Sequence, residues 1–357
     1  MKILFYLGHP AHFYLFKETI KNLQARRHQL IIVIKSKDVL EKLLIDSNLD
    51  YINIVPDHKK NGKIGKYVSL LNRLFSLSKI IFTYKPSKLI GSAAELAILG
   101  KLYRIPSYLF FEDDFEAVPK FAKIAGPLAT YLVCPNCCSA WKWNHKKIGY
   151  NSYHELAYLH PDHFLPDATK INSIFDFRKR NFILRFAQLT AYHDVGKSGI
   201  DEVIAQQLID LLLPFGNVFI TSERPLEPQF EKYRFQIPPL DIHHALYFAD
   251  MYIGDSQTMT AEAAVLGTPA IRFNDFVGEL SYLEELEHVF KLTFGIKTNE
   301  PQLLFQKIKE LLEIPNLKKE WEDRRINMLN KNINLAQYLI SIIENKKLDK
   351  KIVQSVR

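Results

Sequence analysis

The chain has 357 residues, a length that favours two domains over a single core. Its 47% apolar and 24% charged residues are ordinary for a soluble globular protein and exclude a disordered chain. The formal net charge of +8 is mild, and no Arg-rich repeat or aromatic and basic platform indicates a nucleic-acid partner.

The first half of the chain alternates between short apolar runs and amphipathic helical patterns. This alternation predicts a parallel sheet covered by helices on both faces. The predicted strands are 2–7, 30–34, 51–55, 88–90 and 107–111, and the predicted helices are 12–25, 38–44, 67–83 and 93–102. The stretch at 144–172 is rich in His, Pro, Tyr and Asp. This composition is typical of a linker between domains.

The alternation restarts beyond this linker. Strands are predicted at 182–186, 217–221, 251–253 and 269–273, and helices at 200–213, 243–249, 260–266, 301–313 and 318–344. The expected fold is α/β, with two Rossmann-like parallel-sheet domains facing across a cleft. The N-terminal domain would span 1–165 and the C-terminal domain 166–335, while a helix and basic tail at 336–357 would pack back on the N-terminal domain.

All three cysteines fall in one segment, as Cys134, Cys137 and Cys138. A Cys-x-x-Cys pair suggests zinc or redox chemistry, but no second pair completes a tetrahedral site, so we expect reduced, partly buried thiols. No apolar run approaches the about 20 residues that span a bilayer, and the first residues lack a signal-peptide pattern. We therefore expect a cytoplasmic protein, with peripheral contact to the inner face of a membrane left open.

A stretch of small polar residues, GDSQTMTAEAAVLGTPAI, starts at Gly254, directly after a predicted strand. In open α/β sheets, ligands bind beyond the carboxyl ends of the strands. Ser256, Gln257 and Thr258 would lie at the first turn of the next helix, where unpaired N–H groups and the helix dipole favour a phosphate. Glu262, about one turn further on, is suited to accept hydrogen bonds from paired sugar hydroxyls. The alternative is an ordinary Ser or Thr cap followed by an exposed glutamate.

The pattern Asp-Ser-x-Thr-x-x-x-Glu-Ala-x-x-x-Gly-x-Pro resembles the nucleotide-sugar motif of GT-B glycosyltransferases and of UDP-N-acetylglucosamine 2-epimerases. The resemblance implies that Glu262 holds ribose and that the turn before it holds pyrophosphate. Nearly the whole chain is similar to a bacterial and archaeal family of unknown function that is expected to adopt the GT-B fold. The segments that carry this wider similarity are 8–13, 111–114, 153–159, 239–246, 254–272 and 281–287.

In the N-terminal domain, the segment Gly8-His9-Pro10-Ala11-His12 lies where the first strand turns into the first helix. His12 aligns with a histidine that, in several GT-B enzymes, projects into the cleft near the acceptor. An imidazole there would take the proton of the acceptor hydroxyl because its pKa lies near working pH. Gly8 and His9 would lie on the same acceptor side. A helix-start histidine that makes a local hydrogen bond is the alternative.

Three acidic residues, Glu112, Asp113 and Asp114, end another predicted strand of this domain. Glu112 matches an active-site glutamate of both related enzyme classes, which implies a base or a binder of acceptor hydroxyls. Asp113 is a further candidate on the acceptor side. Adjacent acids point in different directions and GT-B enzymes generally need no metal, so we expect neither an essential metal nor a cofactor. A solvated loop or a helix cap is the alternative for all three.

In the C-terminal domain, Arg185 ends a predicted strand and Lys197 follows in the loop where GT-B enzymes bring basic residues to the diphosphate. The segment around Lys197 lacks the upstream glycine of a P-loop, so ATP use is not indicated. His243 and His244 precede the strand that ends at Gly254, and one of them is expected to reach the phosphate.

Three functions therefore stay open at this point. The first is a transferase that moves a sugar from a nucleotide-sugar donor, UDP-linked, to a glycan or lipid-linked acceptor. The second is a UDP-sugar 2-epimerase, although Ser92 stands where the resemblance places a catalytic aspartate of those enzymes. The third is a nucleotide-sugar binding protein without turnover, because Gln257 and Thr258 replace glycines that relatives often carry.

Overall fold

The computed structural model of the protein describes residues 1–35, 39–54, 63–188 and 198–345, with the backbone alone for 63–67. The chain forms two compact units. Unit 1 comprises Met1–Tyr158 and the residues from Ile333 onward, and unit 2 comprises Leu159–Asn332. Each unit is built on its own parallel sheet, so the expected α/β class with two parallel-sheet domains is confirmed.

Unit 1 contains a seven-stranded sheet in the order β3-β2-β1-β4-β5-β6-β7, in which every pair is parallel. Its elements are β1 Lys2–Leu7, α1 Pro10–Ala25, β2 Gln29–Ile34, α2 Leu40–Asp46, β3 Ile52–Asn53, α3 Lys63–Tyr84, β4 Lys88–Gly91, α4 Ala94–Tyr103, β5 Ser107–Phe110, α5 Pro119–Leu128, β6 Tyr131–Pro135 and β7 Lys147–Tyr150. The interior strand β1 is almost fully buried because helices cover both faces of the sheet.

The helices of unit 1 form two layers. Helices α1 and α2 connect strands in one direction along the sheet, whereas α3, α4 and α5 connect strands in the other direction. Right-handed crossovers then place the two groups on opposite faces. The observed contacts agree, because α1 packs on α2, α3 packs on α4, and α4 packs on α5.

Unit 2 contains a five-stranded parallel sheet in the order β12-β11-β10-β8-β9. Its elements are β8 Arg180–Phe186, α6 Glu202–Leu212, β9 Gly216–Ser222, α7 Ile242–Phe248, β10 Met251–Gly254, α8 Gln257–Leu266, β11 Ala270–Phe273, α9 Ser281–His288, β12 Thr293–Ile296, α10 Pro301–Glu313 and α11 Leu317–Lys331. The strand order changes direction between β8 and β10, which is the position where open α/β sheets bind ligands.

The last helix, α12 (Leu335–Glu344), returns to unit 1 and packs on α1. Glu344 contacts Arg26 Nη1 at 2.6 Å and His28 Nε2 at 3.1 Å. The Lys88 ammonium donates to the carbonyl oxygens of Ile343 and Asn345, at 2.5 and 2.9 Å. These contacts give hydrogen-bond donors to the carbonyl groups at the carboxyl end of α12, and they hold this helix beside α1.

The single helix predicted over 318–344 is wrong, because α11 and α12 are separate. The chain is extended at Asn332 and Asn334, and the Asn334 side chain caps α12 by accepting a hydrogen bond from the Gln337 N–H. The backbone N–H of Ile333 donates to the Asn151 carbonyl at 2.8 Å. This crossing segment leads the chain out of unit 2 and into unit 1.

The predicted linker at 144–172 is also wrong in part. Lys147–Tyr150 forms the edge strand β7, and a short 3-10 helix follows at His154–Ala157. The division between units lies after Tyr158, not after residue 165. The reason is that Phe164 packs on the His244 ring, with centroids 4.9 Å apart, so this stretch already belongs to unit 2.

Among the described residues, no helix has the length and apolar character that crossing a bilayer requires.

Candidate functional site

The strand ends that the sequence singles out lie side by side at the carboxyl edge of the unit 2 sheet. Arg185 of β8 and Arg272 of β11 are both register partners of Gly254 in β10, and Thr221 of β9 is the partner of Arg185. Register partners in a sheet point to the same face, so two arginines flank Gly254. A Cβ on Gly254 would lie only 2.8 Å from the Arg185 Cβ, so this close approach requires glycine.

Helix α8 begins directly after this row, and Ser256 is its N-cap. The Ser256 Oγ accepts a hydrogen bond from the Met259 N–H at 3.4 Å, as in an ordinary cap. Ser256, Gln257 and Thr258 are half-buried. The first N–H groups of a helix have no acceptor within it and lie at the positive end of its dipole. A phosphate at these N–H groups stays a prediction, while the capping role of Ser256 is observed.

Asp255 joins three segments at this edge of the sheet. Its Oδ1 accepts from the Ala187 N–H at 2.6 Å, and its Oδ2 accepts from the Ile200 N–H at 3.1 Å. The Asn274 side chain donates to the Asp255 carbonyl at 2.9 Å. Burial raises the pKa of the Asp255 carboxyl to about 6, against the opposing effect of the two N–H groups and of Arg224. Asp255 therefore organises the candidate site, a role that the sequence did not single out.

We expect Asp255 to make the protein less stable as the pH rises from about 4 to about 6. Its folded pKa of about 6 exceeds the ordinary value of 3.8, so in this window the folded protein holds a proton that the unfolded chain has released. The stabilisation is complete at low pH and is lost as the pH rises, by up to about 3 kcal/mol. Urea unfolding of wild type and Asp255→Asn across this window measures the effect. The free energy of unfolding of wild type should fall relative to that of the variant, and a constant difference would contradict the assignment.

Arg185 is held by acidic and polar neighbours at the end of β8. Its Nη2 donates to Glu223 Oε1 and its Nη1 donates to Thr221 Oγ1 at 3.3 Å. Its Nε is buried without a hydrogen-bond partner among the described residues. The guanidinium is thus held at the predicted edge of the sheet, and its Nε–H is a further donor that these contacts do not use. Lys197, the other predicted cation, lies outside the described residues.

Arg224, which the sequence did not single out, lies at the same edge after β9. Its Nη2 donates to the Ile200 carbonyl at 2.7 Å and its guanidinium lies 5.4 Å from the centroid of the Phe186 ring. Its buried Nε also has no hydrogen-bond partner in the described part of the chain. The polar triplet Ser222-Glu223-Arg224, with two charged residues at the end of a strand, was the signal in the sequence.

Glu262 is buried and paired with His243. The Glu262 Oε1 lies 3.0 Å from His243 Nε2, and the two residues are 6% and 4% exposed. The alternative of an exposed glutamate is therefore wrong. Because α7 and α8 pack together, a histidine of one helix meets a carboxylate of the other. The pair fixes the direction of the carboxylate, which any role as an acceptor for sugar hydroxyls requires.

Each of the two predicted histidines has a hydrogen-bond partner within the protein, and a contact of either one with phosphate stays a prediction. His243 bonds Glu262, whereas the His244 Nδ1 accepts from the Asp167 N–H at 3.0 Å. Burial lowers the pKa of His244. A neutral His244 therefore ties the start of unit 2 to α7, and it supplies little positive charge to an anion.

In unit 1, Gly8 and His9 follow the end of β1, and His12 lies in the first turn of α1. The His9 Nδ1 caps α1 by accepting from the Ala11 N–H at 3.2 Å. The His12 Nδ1 accepts from the Gly8 N–H at 3.1 Å. Since the lone pair of the neutral ring then lies at Nδ1, the Nε2 carries the proton and can donate it. This contact matches the local hydrogen bond that was the alternative to a catalytic His12.

Glu112 follows β5, which is separated from β1 only by β4, so the ends of these strands meet at the carboxyl edge of unit 1. The Glu112 Oε2 lies 3.2 Å from His154 Nδ1. Burial raises the pKa of Glu112 well above its usual range, with further contributions from Glu155 and Asp113. Burial also lowers the pKa of His154 to about 3. Burial therefore favours the neutral form of both groups, and the contact does not require a full ion pair.

The neighbours of Glu112 have more local roles. The buried Asp114 accepts a hydrogen bond from the Ser139 N–H at 2.6 Å, and Asp113 is only half-buried. Cys134, Cys137 and Cys138 are free thiols. The Cys138 thiol donates to the Glu112 carbonyl at 3.0 Å, so this cluster supports the backbone of the acidic segment.

Comparison with known proteins assigns this architecture to a family. A family model described as protein of unknown function (DUF354) matches residues 1–283. The chain belongs to DUF354. Comparison with curated protein sequences finds no match.

Several solved structures share the fold of this DUF354 chain at low sequence identity. The UDP-GlcNAc 2-epimerase from Neisseria meningitidis bound to UDP-GlcNAc has a TM-score of 0.65 and 15% identity, covering 97% of this chain and 100% of that chain. Spinosyn rhamnosyltransferase SpnG complexed with spinosyn aglycone has a TM-score of 0.62 and 14% identity over 97% and 100%. MurG from Acinetobacter baumannii has a TM-score of 0.58 and 15% identity over 96% and 99%. At this identity the likeness shows the GT-B fold, as the sequence resemblance predicted.

Two further observations delimit the candidate sites of the DUF354 chain. A crevice lined by Arg180, Asp250 and Lys318 lies at the amino ends of β8 and β10, the opposite edge from Glu262. It is therefore not the site described above. In the part of the chain that the structure describes, no three His, Cys, Asp or Glu side chains cluster as metal ligands. Metal independence stays a prediction.

Proposed function

We propose that this protein is a glycosyltransferase that moves a sugar from a UDP-linked donor to a hydroxyl of a glycan or lipid-linked acceptor. The observation that carries the proposal is the buried Glu262 carboxylate, oriented by His243 within α8 at the edge where α/β sheets bind ligands. In this proposal Glu262 accepts hydrogen bonds from the ribose hydroxyls of the donor. The fold similarity to nucleotide-sugar enzymes supports it.

The leaving diphosphate would bind at the start of α8. The N–H groups of Gln257 and Thr258 and the spare Nε donor of Arg185 would stabilise the charge that develops as the bond to the sugar breaks. The electron pair of that bond stays on the diphosphate. Lys197 would add positive charge in this proposal.

Unit 1 would supply the group that deprotonates the acceptor. We assign this role to Glu112, because burial brings the pKa of its carboxyl toward working pH, where proton transfer is efficient. The acceptor oxygen bonds to the anomeric carbon as its proton passes to the ionised Glu112. His12 would instead donate its Nε2–H to an oxygen of the acceptor, since its Nδ1 is occupied by the Gly8 N–H. Gly8, His9 and Asp113 would line the acceptor side.

A second candidate, a UDP-sugar 2-epimerase, is favoured by a pair of carboxyl groups in unit 1. Glu155 is 1% exposed and close enough to Glu112 to raise its pKa. Epimerisation needs acids and bases around one sugar, and two such carboxyls would meet part of that need. Ser92, in place of a catalytic aspartate, supports the transferase instead.

Incubation with UDP-N-acetylglucosamine, with and without a glycan or lipid-linked acceptor, tests the proposal. Release of UDP only when acceptor is present supports transfer. Formation of UDP-N-acetylmannosamine, or release of UDP with 2-acetamidoglucal, in the absence of acceptor supports epimerisation. Binding of the nucleotide-sugar without turnover under both conditions would contradict the enzyme proposals and favour a binding protein.

We expect turnover to persist in excess EDTA. The diphosphate would be stabilised by helix N–H groups and arginines, so a metal ion has no necessary part in the proposed step. Steady-state rates with EDTA, and with Mg²⁺ added back, measure this. A rate that EDTA abolishes and Mg²⁺ restores would show that the charge stabilisation is assigned wrongly.

A further inference from the structure

Helix α3 of unit 1 presents an apolar stripe to solvent. Val68, Leu71, Phe75 and Phe82 are 37%, 64%, 64% and 75% exposed. Their spacing of three, four and seven residues places them on one face of the helix. Isolated exposed apolar residues are common, but four on one face of a helix, two of them phenylalanines, indicate an interaction surface.

The opposite face of α3 is also apolar. Leu77, Ile80 and Ile81 are buried against the rest of unit 1. The helix is therefore held by its inner face, and core packing does not require the outer stripe. A surface helix of a soluble protein usually places polar residues outside, so the composition of α3 departs from that pattern.

The exposed charged side chains of α3, α4 and α5, over their described residues, are of one sign. From Val68 to the end of α3, and through α4 and α5, the exposed charged side chains are Lys79, Lys101, Lys120 and Lys123. The one carboxylate in these helices, Glu95, is buried and accepts from Arg73 Nε at 2.7 Å. The Lys79 ammonium lies 4.6 Å from the centroid of the Phe75 ring.

The apolar surface extends from α3 onto the neighbouring helices of the same layer. Leu102 at the end of α4 is 67% exposed and Ile124 of α5 is 40% exposed. Because α3 packs on α4 and α4 on α5, the stripe and the lysines belong to one face of unit 1. We call this surface, formed by α3, α4 and α5, the basic apolar face.

We propose that the basic apolar face docks on an anionic lipid surface. Exposed Leu and Phe side chains beside lysines, with no exposed carboxylate in the described residues of α3, α4 and α5, match the apolar and basic composition of helices that lie in the membrane interface. The phenylalanines would enter the boundary between headgroups and acyl chains, and the lysines would contact anionic headgroups. The inference does not depend on the proposed transferase activity, because it rests on unit 1 surface residues outside the candidate site.

Co-sedimentation of the full chain with vesicles tests this proposal. We expect binding to vesicles of phosphatidylcholine and phosphatidylglycerol, weakened by added salt, and little binding to phosphatidylcholine alone. Replacing both phenylalanines, Phe75→Ser with Phe82→Ser, should lower the partition coefficient about 100-fold. The single change Lys79→Glu should lower it about 10- to 30-fold, and it keeps the test valid if the double variant folds poorly.

Matched control variants lie on unit 2. Leu165→Ser with Val203→Ser removes two side chains that are 78% and 64% exposed, and Lys309→Glu reverses an exposed lysine. These variants should bind vesicles as wild type does. Equal losses in the controls, absence of binding by wild type, or equal binding to neutral vesicles would overturn the proposal. So would a wild-type dimer in sedimentation velocity that the Phe75→Ser, Phe82→Ser variant dissociates, because the face would then bind a second copy of the chain.

Discussion

Glu262→Gln is expected to weaken UDP binding about 10- to 100-fold, because the amide offers one acceptor where the carboxylate offers two charged oxygens. Glutamine is preferred to alanine, since alanine would leave the buried His243 without its partner and lower the stability of the apo protein by about 1 to 3 kcal/mol. Isothermal titration with UDP and with 2′,3′-dideoxy-UDP measures the effect. Wild type should prefer UDP, and the variant should lose most of that preference.

The comparison of the two nucleotides separates a ribose contact from a general loss of structure. His243→Gln keeps an N–H donor toward Glu262 and should retain more of the preference than His243→Leu. Glu310→Gln removes a charge from the exposed face of α10 and serves as the matched control in unit 2. If Glu262→Gln binds UDP as tightly as wild type does, Glu262 has no part in nucleotide binding.

Glu112→Gln should lower kcat about 10²- to 10⁴-fold, the usual contribution of a positioned general base. Glutamine has nearly the same shape, so the contact with His154 should persist while the ability to take a proton is lost. UDP affinity should be unchanged, because the proposed nucleotide contacts lie in unit 2. Steady-state kinetics with saturating donor, together with UDP titration, measure both quantities.

The pH profile gives an independent test of Glu112. A base must be ionised, so kcat/KM should fall as the pH drops through the pKa of Glu112, which lies above the usual range of a glutamate. Glu116→Gln, at an exposed position of the same acidic loop, should leave both rate and profile unchanged. Turnover of Glu112→Gln near the wild-type rate would remove Glu112 from the chemistry.

The fold was predictable because the sequence patterns that indicate its strands and helices are local. Buried strands such as β1, β2 and β8 appear in the sequence as short apolar runs, and the helices between them show the expected periodicity. Elements with weaker patterns were missed. The edge strand β12 has four residues, of which the two central ones are half-buried, and α9 is rich in glutamate. Their positions depend on tertiary contacts, which a single sequence does not display.

The sequence indicated which residues to consider for the candidate site, but it did not indicate the side-chain contacts between them. The motif around Ser256 indicates which residues lie at a strand end and a helix start, because that follows from sequence order. The contact between Glu262 and His243 joins two helices, and the contact between Glu112 and His154 joins two distant segments. Burial and the resulting pKa shifts depend on these long-range contacts. The organising role of Asp255 was missed for the same reason.

The crossing segment at Asn332–Asn334 has a consequence for synthesis on the ribosome. Unit 2 is one continuous stretch, whereas unit 1 needs both the first strand and α12, whose Leu339, Ile340 and Ile343 are buried. Since domains generally fold as units while the chain emerges, unit 2 is able to complete its sheet before unit 1 receives its last helix. During that interval the nascent N-terminal half exposes the surface that α12 later covers, and this is the interval in which a chaperone is expected to bind it.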